Sequence, residues 1–191
     1  MVPKEQLLKR LSIIKLLYKI GIEQSKQSEA TSFFSILCFH DSIEMFLRLA
    51  AEHKGVNAEG LSFIQYWDKI PKLTLKESLR NLNQRRVNIK HKGLIPAKVE
   101  IESSGVNTSD FFEQNTPLIF GYKFEEVALI ELIKFEKTKE SLKEAQVAVD
   151  DNKMKDSIQP VTRAFYELLN DYKESKRGHW HSICNRFRCN R

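Results

Sequence analysis

The sequence predicts an all-α protein: an antiparallel bundle of amphipathic helices with additional helices at its C-terminal end. Three observations predict it. Apolar residues recur at helical spacing along most of the 191 residues. Only seven glycines and five prolines interrupt the chain, too few for many short strands joined by tight turns. Apolar residues make up 41% and charged residues 29%, which allows a real core beneath a solvated surface.

Leu7, Leu8, Leu11, Ile14 and Tyr18 place a first helix over about Lys4 to Gln24, with lysines on its other side. A second helix spans Ala30 to His53 and stops at Gly55. It is apolar on most sides, which suits the middle of a bundle, and His40, Asp41 and Glu44 interrupt its apolar surface. Buried polar groups cost free energy unless paired, so these three are expected to have partners or to line a cleft. A short helix is expected from Ser62 to Ile70, and another from Leu75 to Lys92, closed by Gly93 and Pro96. The stretch from Ala97 to Tyr122 reads as less regular, with a turn at Ser103-Ser104-Gly105 and a short helix capped by Ser109. A long helix is expected from Phe124 to about Val149. A last one runs from about Ser157 to Tyr172, with Pro160 in its first turn and Ile158, Val161, Phe165, Leu168 and Tyr172 inward. The expected organisation is one helical domain over 1–175 and a basic, flexible tail over 176–191.

The net charge of +6 is a poor argument for nucleic-acid binding. Lys176, Arg177, Arg186, Arg188 and Arg191 supply +5 of it in a tail with no acidic residue. A local argument is stronger. Lys72, Lys76, Arg80, Arg85, Arg86, Lys90, Lys92 and Lys98 lie in one segment with Glu77 as its sole acid. Such a patch attracts phosphates; it also reads as a solvated helix face. Three cysteines imply no disulfide framework, and charged residues break every apolar run, so a cytoplasmic protein without a membrane span is expected. The tail carries His179, His181, Cys184 and Cys189, but their spacing matches no zinc finger, and neither a metal nor a cofactor is assigned. Trp180 and Phe187 among basic residues suit contact with RNA as well.

On a helical wheel Leu75, Leu79, Leu82, Arg86 and Ile89 share one face, so Arg86 interrupts an apolar stripe. A guanidinium cannot shed its proton to escape burial. It requires an anion, either a carboxylate such as Asp41 or Glu44, or a ligand phosphate. On the wheel alone a structural ion pair is the favoured role. His91, near the same helix end, suits either capping or proton transfer.

Together these residues resemble a known signature. Arg86-x4-His91, within Leu82-Asn83-Gln84-Arg85-Arg86-Val87-Asn88-Ile89-Lys90-His91-Lys92-Gly93, resembles the Arg-x4–6-His motif of the HEPN superfamily, late in a helix of a bundle. The approach to Pro96 and the later Phe-Glu-Glu-Val-Ala-Leu-Ile-Glu-Leu-Ile segment resemble a bacterial branch of it. The resemblance implies a bundle of HEPN type and a metal-independent endoribonuclease, in a toxin–antitoxin or anti-phage setting. It implies that Arg86 and His91 are the catalytic pair, with Arg85, Asn88, Lys90 and Lys92 on the RNA and His40, Asp41 and Glu44 behind them. It implies a homodimer with a composite site, and an antitoxin protein as a further partner. Val87 stands where the superfamily often has Asn, Asp or His, which keeps an inactive RNA- or protein-binding module as an alternative. Arg85 also satisfies the looser spacing to His91. The two catalytic side chains project about 140° apart on an ideal helix, so they converge only through a frayed helix end, a long arginine or a second chain.

Overall fold

A computed structural model describes residues 1–188, with side chains through Lys176. The tail residues beyond that point, with the His and Cys residues and the aromatic side chains considered for RNA contact, lie outside the described side chains. The chain is helical, and no strand occurs among the described residues. It divides into two compact units, Met1–Leu129 and Ile130–Arg191. No helix of the described residues is long and apolar enough to cross a membrane.

In the first unit, α1 (Lys4–Ser25), the short α2 (Glu29–Ser32), α3 (Phe34–Lys54), α4 (Tyr66–Lys69), α5 (Lys76–Lys92) and α6 (Lys98–Phe120) follow in order. The expected helix from Ala30 is nearly continuous, broken only around Phe33. α3 is the central element, with α1, α5 and α6 packed on it. Its Ile36, Phe39, Ile43, Phe46 and Leu47 are fully buried. Phe46 meets Phe111, Phe112 and Phe120 edge-on at 5.1–5.7 Å between centroids, the preferred geometry for aromatic quadrupoles. Gly55 and Gly93 close α3 and α5 as expected, both in the left-handed region.

The stretch after Ala97 is not irregular. It forms one helix, α6, through Ser103-Ser104-Gly105. The small residues are there for packing, not for turning. A Cβ on Gly105 would lie 3.4 Å from Phe39 of α3. The Ser104 and Thr108 hydroxyls donate to the carbonyls one turn earlier, each at 2.7 Å, so both are satisfied while buried. Gly21 of α1 approaches the same ring more closely, with Cβ-to-ring distances of 2.7–2.8 Å. Phe39 is thus held between two glycines.

The helix expected from Phe124 starts only at Glu136, as α7 (Glu136–Asp150). Side chains of α1 capture the carbonyls that a helix would need. Ser12 donates to Ala128 O at 2.8 Å, and Lys15 to Glu125 O and Val127 O at 2.7 and 2.8 Å. Burial lowers the Lys15 pKa, and the nearby Lys19 adds to this. Phe124 stacks on Phe112 at 4.4 Å, inside the first unit's core.

Asn115 organises the approach to α5. Its amide donates to Thr74 Oγ1 and Phe111 O, and its carbonyl accepts from Thr74 N, all within 2.8–2.9 Å. Trp67 Nε1 donates to Thr74 O at 2.7 Å. These bonds hold Leu75 at φ +61°, a strained conformation for a branched side chain, immediately before α5.

The second unit is a hairpin of α7 and α8 (Met154–Arg188), turning through Asn152 at φ +58°. α8 starts earlier than expected, which puts Pro160 in its second turn, buried. The face that meets α7 is built of small and polar residues: Ser157, Pro160 and Ala164 on α8, Thr138, Ser141 and Ala145 on α7. Ser141 Oγ donates to Glu167 at 2.8 Å and accepts from Arg163 Nε at 2.9 Å. This overturns the expected inward stripe. Ile158, Val161, Phe165, Leu168 and Tyr172 are exposed. Ser157 and Ala164, offset around the helix, take the α7 side instead.

Replacing a glycine inside a helix by alanine ordinarily stabilises by about 1 kcal/mol. Gly21→Ala is predicted to do the opposite. Its new methyl meets a Phe39 ring that has nowhere to move, and overpacking costs about 1–3 kcal/mol. Urea denaturation reads this directly, and a raised midpoint would contradict the packing described. For Asn115→Ala we expect a loss of about 1–3 kcal/mol, because the Thr74 N–H is left without its partner. A midpoint unchanged by Asn115→Ala would mean that these bonds do not hold the turn.

Candidate functional site

α5 presents Leu79 and Leu82 to the core, with Ile89 packed on the core's edge. Asn83 and Arg86 lie on the same side, four and seven residues after Leu79. This geometry places both beside α3. His40 of α3 is 2% exposed. Its ring stacks on Phe63 at 4.4 Å and 25°. Its Nε2 lies 3.0 Å from Asn83 Oδ1, and its Nδ1 lies 3.3 Å from Asp41 Oδ1. A neutral ring has one N–H, so it can donate to Asp41 when the Asn83 amide turns its NH2 toward Nε2. Burial pushes the His40 pKa below its ordinary value; the Asp41 bond opposes this and the Arg86 charge assists it.

Of the two carboxylates expected to neutralise Arg86, Asp41 lies against His40 Nδ1 and Glu44 is already taken. Glu44 accepts from Arg48 Nη2 at 2.7 Å. Burial raises the Glu44 pKa, but the Arg48 bond and charge outweigh it, with His40 and Arg86 adding to the net lowering. Arg86 is half-buried, and its Nε is buried with no hydrogen-bond partner. Among the described residues no carboxylate comes within 4.0 Å of its guanidinium. The expected structural ion pair is therefore not formed. The field of Arg86 reaches His40 and Glu44, yet none of its nitrogens is bonded to them.

Arg85 has the opposite character. Its Nε pairs with Glu100 Oε1 at 3.3 Å, and its Nη1 donates to Ser104 Oγ at 3.1 Å. The other Glu100 oxygen accepts from Ala97 N at 2.9 Å and caps α6. That backbone bond is the main cause of a lowered Glu100 pKa, with Arg85 contributing. Arg85 thus fastens α5 to α6, while Arg86 is the arginine left unpaired.

The basic segment is less uniform than its sequence suggests. Lys76 pairs with Asp68, Arg80 with Glu77, Arg85 with Glu100 and Lys98 with Glu102. The acids other than Glu77 come from outside the basic run or its edge. Arg86, Lys90 and Lys92 have no such partner among the described residues, so unneutralised charge collects in the last two turns of α5. Asn88 is half-buried and accepts from Gln84 Nε2 at 3.0 Å. His91 is exposed in the final turn with Lys90 and Lys92. α5 stays helical through Lys92, and the Gly93 and Leu94 N–H groups close it on Ile89 O and Asn88 O at 3.2 Å. Fraying therefore does not bring Arg86 and His91 together. Along a regular helix they stand about 7.5 Å apart in rise and about 140° apart in direction.

No family model, no curated protein and no solved structure matches this chain.

The structure brings His40, Asp41 and Glu44 together. One ligand atom from each lies within 4.8 Å of the others, a donor set of a kind that holds metal ions. The Arg48 bridge to Glu44 and the adjacent Arg86 charge both oppose a cation there. Asn83 is the residue that the sequence reading missed. Its signal was its register, one turn before Arg86 on the stripe that faces His40.

The buried imidazole has a consequence for stability. Because the folded His40 pKa is lowered, the unfolded chain binds a proton at higher pH than the folded one. Stability is then complete above about pH 6.5 and falls as the pH drops below it. Burial shifts His53 the same way, so the wild-type slope contains both groups. His40→Gln is predicted to flatten the fall in unfolding free energy between about pH 7 and 5. Denaturation at several pH values checks it; an unaltered slope would show that His40 titrates alike in both states.

Proposed function

We propose that this chain is an RNA-binding protein of HEPN type that cleaves RNA without a metal, using sites completed by a second copy. One observation carries this reading: a half-buried arginine with a desolvated Nε and no ion-paired carboxylate among the described residues. An unmet buried donor costs about 1–3 kcal/mol, and a phosphate oxygen would satisfy both the donor and the charge. Arg86 holds the phosphate and offsets the negative charge that grows on it. His91 of one copy takes the proton of the ribose 2′-OH, which attacks the adjacent phosphorus. The bond from phosphorus to the 5′ oxygen breaks, and His91 of the second copy protonates that oxygen. The products are a 2′,3′-cyclic phosphate and a 5′-hydroxyl end. Lys90 and Lys92 hold the flanking backbone. The setting that the resemblance suggests is a toxin with its antitoxin, or anti-phage defence.

A second reading is supported by the 140° divergence of Arg86 and His91 along an unbroken helix. In it the same surface binds RNA and does not cut it.

Incubation of the purified chain with total RNA in EDTA separates the readings. Arg86→Met and His91→Ala are each predicted to lower cleavage by about 10²-fold or more. Mixing the two variant chains does not restore it, because a mixed site keeps only one of the two histidines that the proton transfers need. Arg86→Met keeps or raises thermal stability, since it removes a cation that has no ion-pair partner among the described residues. Arg85→Met lowers it by breaking the joint to Glu100 and Ser104. Cleavage by Arg86→Met at the wild-type rate would sink the assignment; binding without cleavage by the wild type would select the second reading.

A further inference from the structure

Met154, Ile158, Val161, Phe165, Leu168 and Tyr172 follow one another along α8 at spacings of 4, 3, 4, 3 and 4. These are consecutive a and d positions of a heptad repeat, the period of a helix seam that pairs with another long helix. Each is between 38% and 66% exposed. α7 does not cover them, because its contact with α8 uses Ser157, Pro160 and Ala164. The larger apolar side chains of this hairpin therefore point away from its own partner helix.

We propose that this seam pairs with α8 of a second copy of the chain, in antiparallel register. The inference goes beyond the ribonuclease reading, which needs a second copy but names no surface that joins the two: a monomeric wild type counts against both, and a dimer that survives the charged substitutions overturns the seam alone. The occupant follows from the seam itself. In an antiparallel pair centred near Arg163, Val161 faces Phe165, Ile158 faces Leu168 and Met154 faces Tyr172 of the other copy. Every aromatic side chain then meets a smaller or more flexible one, and the layers fill evenly. A parallel pair would stack Phe165 on Phe165 and Tyr172 on Tyr172, and leave Val161 against Val161. The antiparallel arrangement also sets the two helix dipoles against each other. The seam is about 27 Å long. Six half-exposed side chains bury roughly 600 Å² per copy, or about 1,200 Å² in the pair, the lower edge of specific interfaces. An apolar patch of that size is at or above the largest that monomers usually leave in water.

The test uses the full chain at micromolar concentration, with mass read by light scattering after size exclusion. The wild type is expected to be a dimer. Phe165→Glu and, separately, Ile158→Lys give monomers with unchanged far-ultraviolet circular dichroism, since both positions are exposed. Val106→Glu, at an exposed apolar position on α6, stays dimeric. Register is read by cross-linking with Cys38, Cys184 and Cys189 replaced by Ser. There Ile158→Cys combined with Leu168→Cys gives covalent dimers, and Ile158→Cys alone does not. A monomeric wild type, or a dimer that survives both charged substitutions, overturns the interface. Cross-linking through Ile158→Cys alone overturns the antiparallel register.

Discussion

The burial of α3 on nearly all sides sets the terms for the first unit. A helix with fully buried Ile36, Phe39, Ile43, Phe46 and Leu47 needs close neighbours on most of its sides, and between its ends only the stripe of Asp41, Met45, Arg48 and Glu52 faces solvent. That closeness explains Gly21 and Gly105 against Phe39, and it explains hydroxyls that bond back along their own helix in α6. It also decides what happens to the polar residues that α3 carries. His40 cannot turn to water, so it takes Phe63, Asn83 and Asp41 as surroundings, and α5 must run beside it.

Placing α5 there brings Arg86 to a half-buried position beside two groups that cannot pair with it. His40 is held neutral by burial, and Glu44 is bound to Arg48. The adjacent Arg85 shows how the same side chain behaves when it is structural: one carboxylate, one hydroxyl and a helix cap shared between two helices. The contrast separates two arginines that the spacing to His91 left equivalent. It also argues against fold stability as the reason for Arg86, since an apolar side chain of that length would fill the place without a desolvated donor.

Much of the fold was legible because its signals are local. Periodicity located α1, α3 and α5, and Gly55 and Gly93 ended two of them within a residue. The errors arose where distant partners decide. Ser103-Ser104-Gly105 has the composition of a turn, and only the ring of Phe39 shows why small residues are needed in a helix there. Phe124 to Leu132 has helical periodicity, yet Ser12 and Lys15 take its carbonyls from more than a hundred residues away. The α8 stripe was correctly seen as one face, but periodicity does not say what a face meets. At the site, the arginine on an apolar stripe was visible, and so was Arg48 one turn after Glu44 on the same helix; that Arg48 takes this carboxylate and leaves Arg86 without one is decided by how α5 packs on α3. Asp68 and Glu100 thin the basic segment through tertiary approach, and Glu102 does so one turn after Lys98 on α6.

The central claim is that the Arg86 guanidinium is held open for a phosphate. Nitrogen-15 NMR of the arginine Nε–H groups tests it most directly, with a 2′-deoxy oligonucleotide as a ligand that cannot be cleaved. The account predicts that the Arg86 resonance shifts and its exchange with water slows on titration, while the Arg85 resonance, already paired, stays in place. An Arg86 resonance that does not move at saturating oligonucleotide would contradict it.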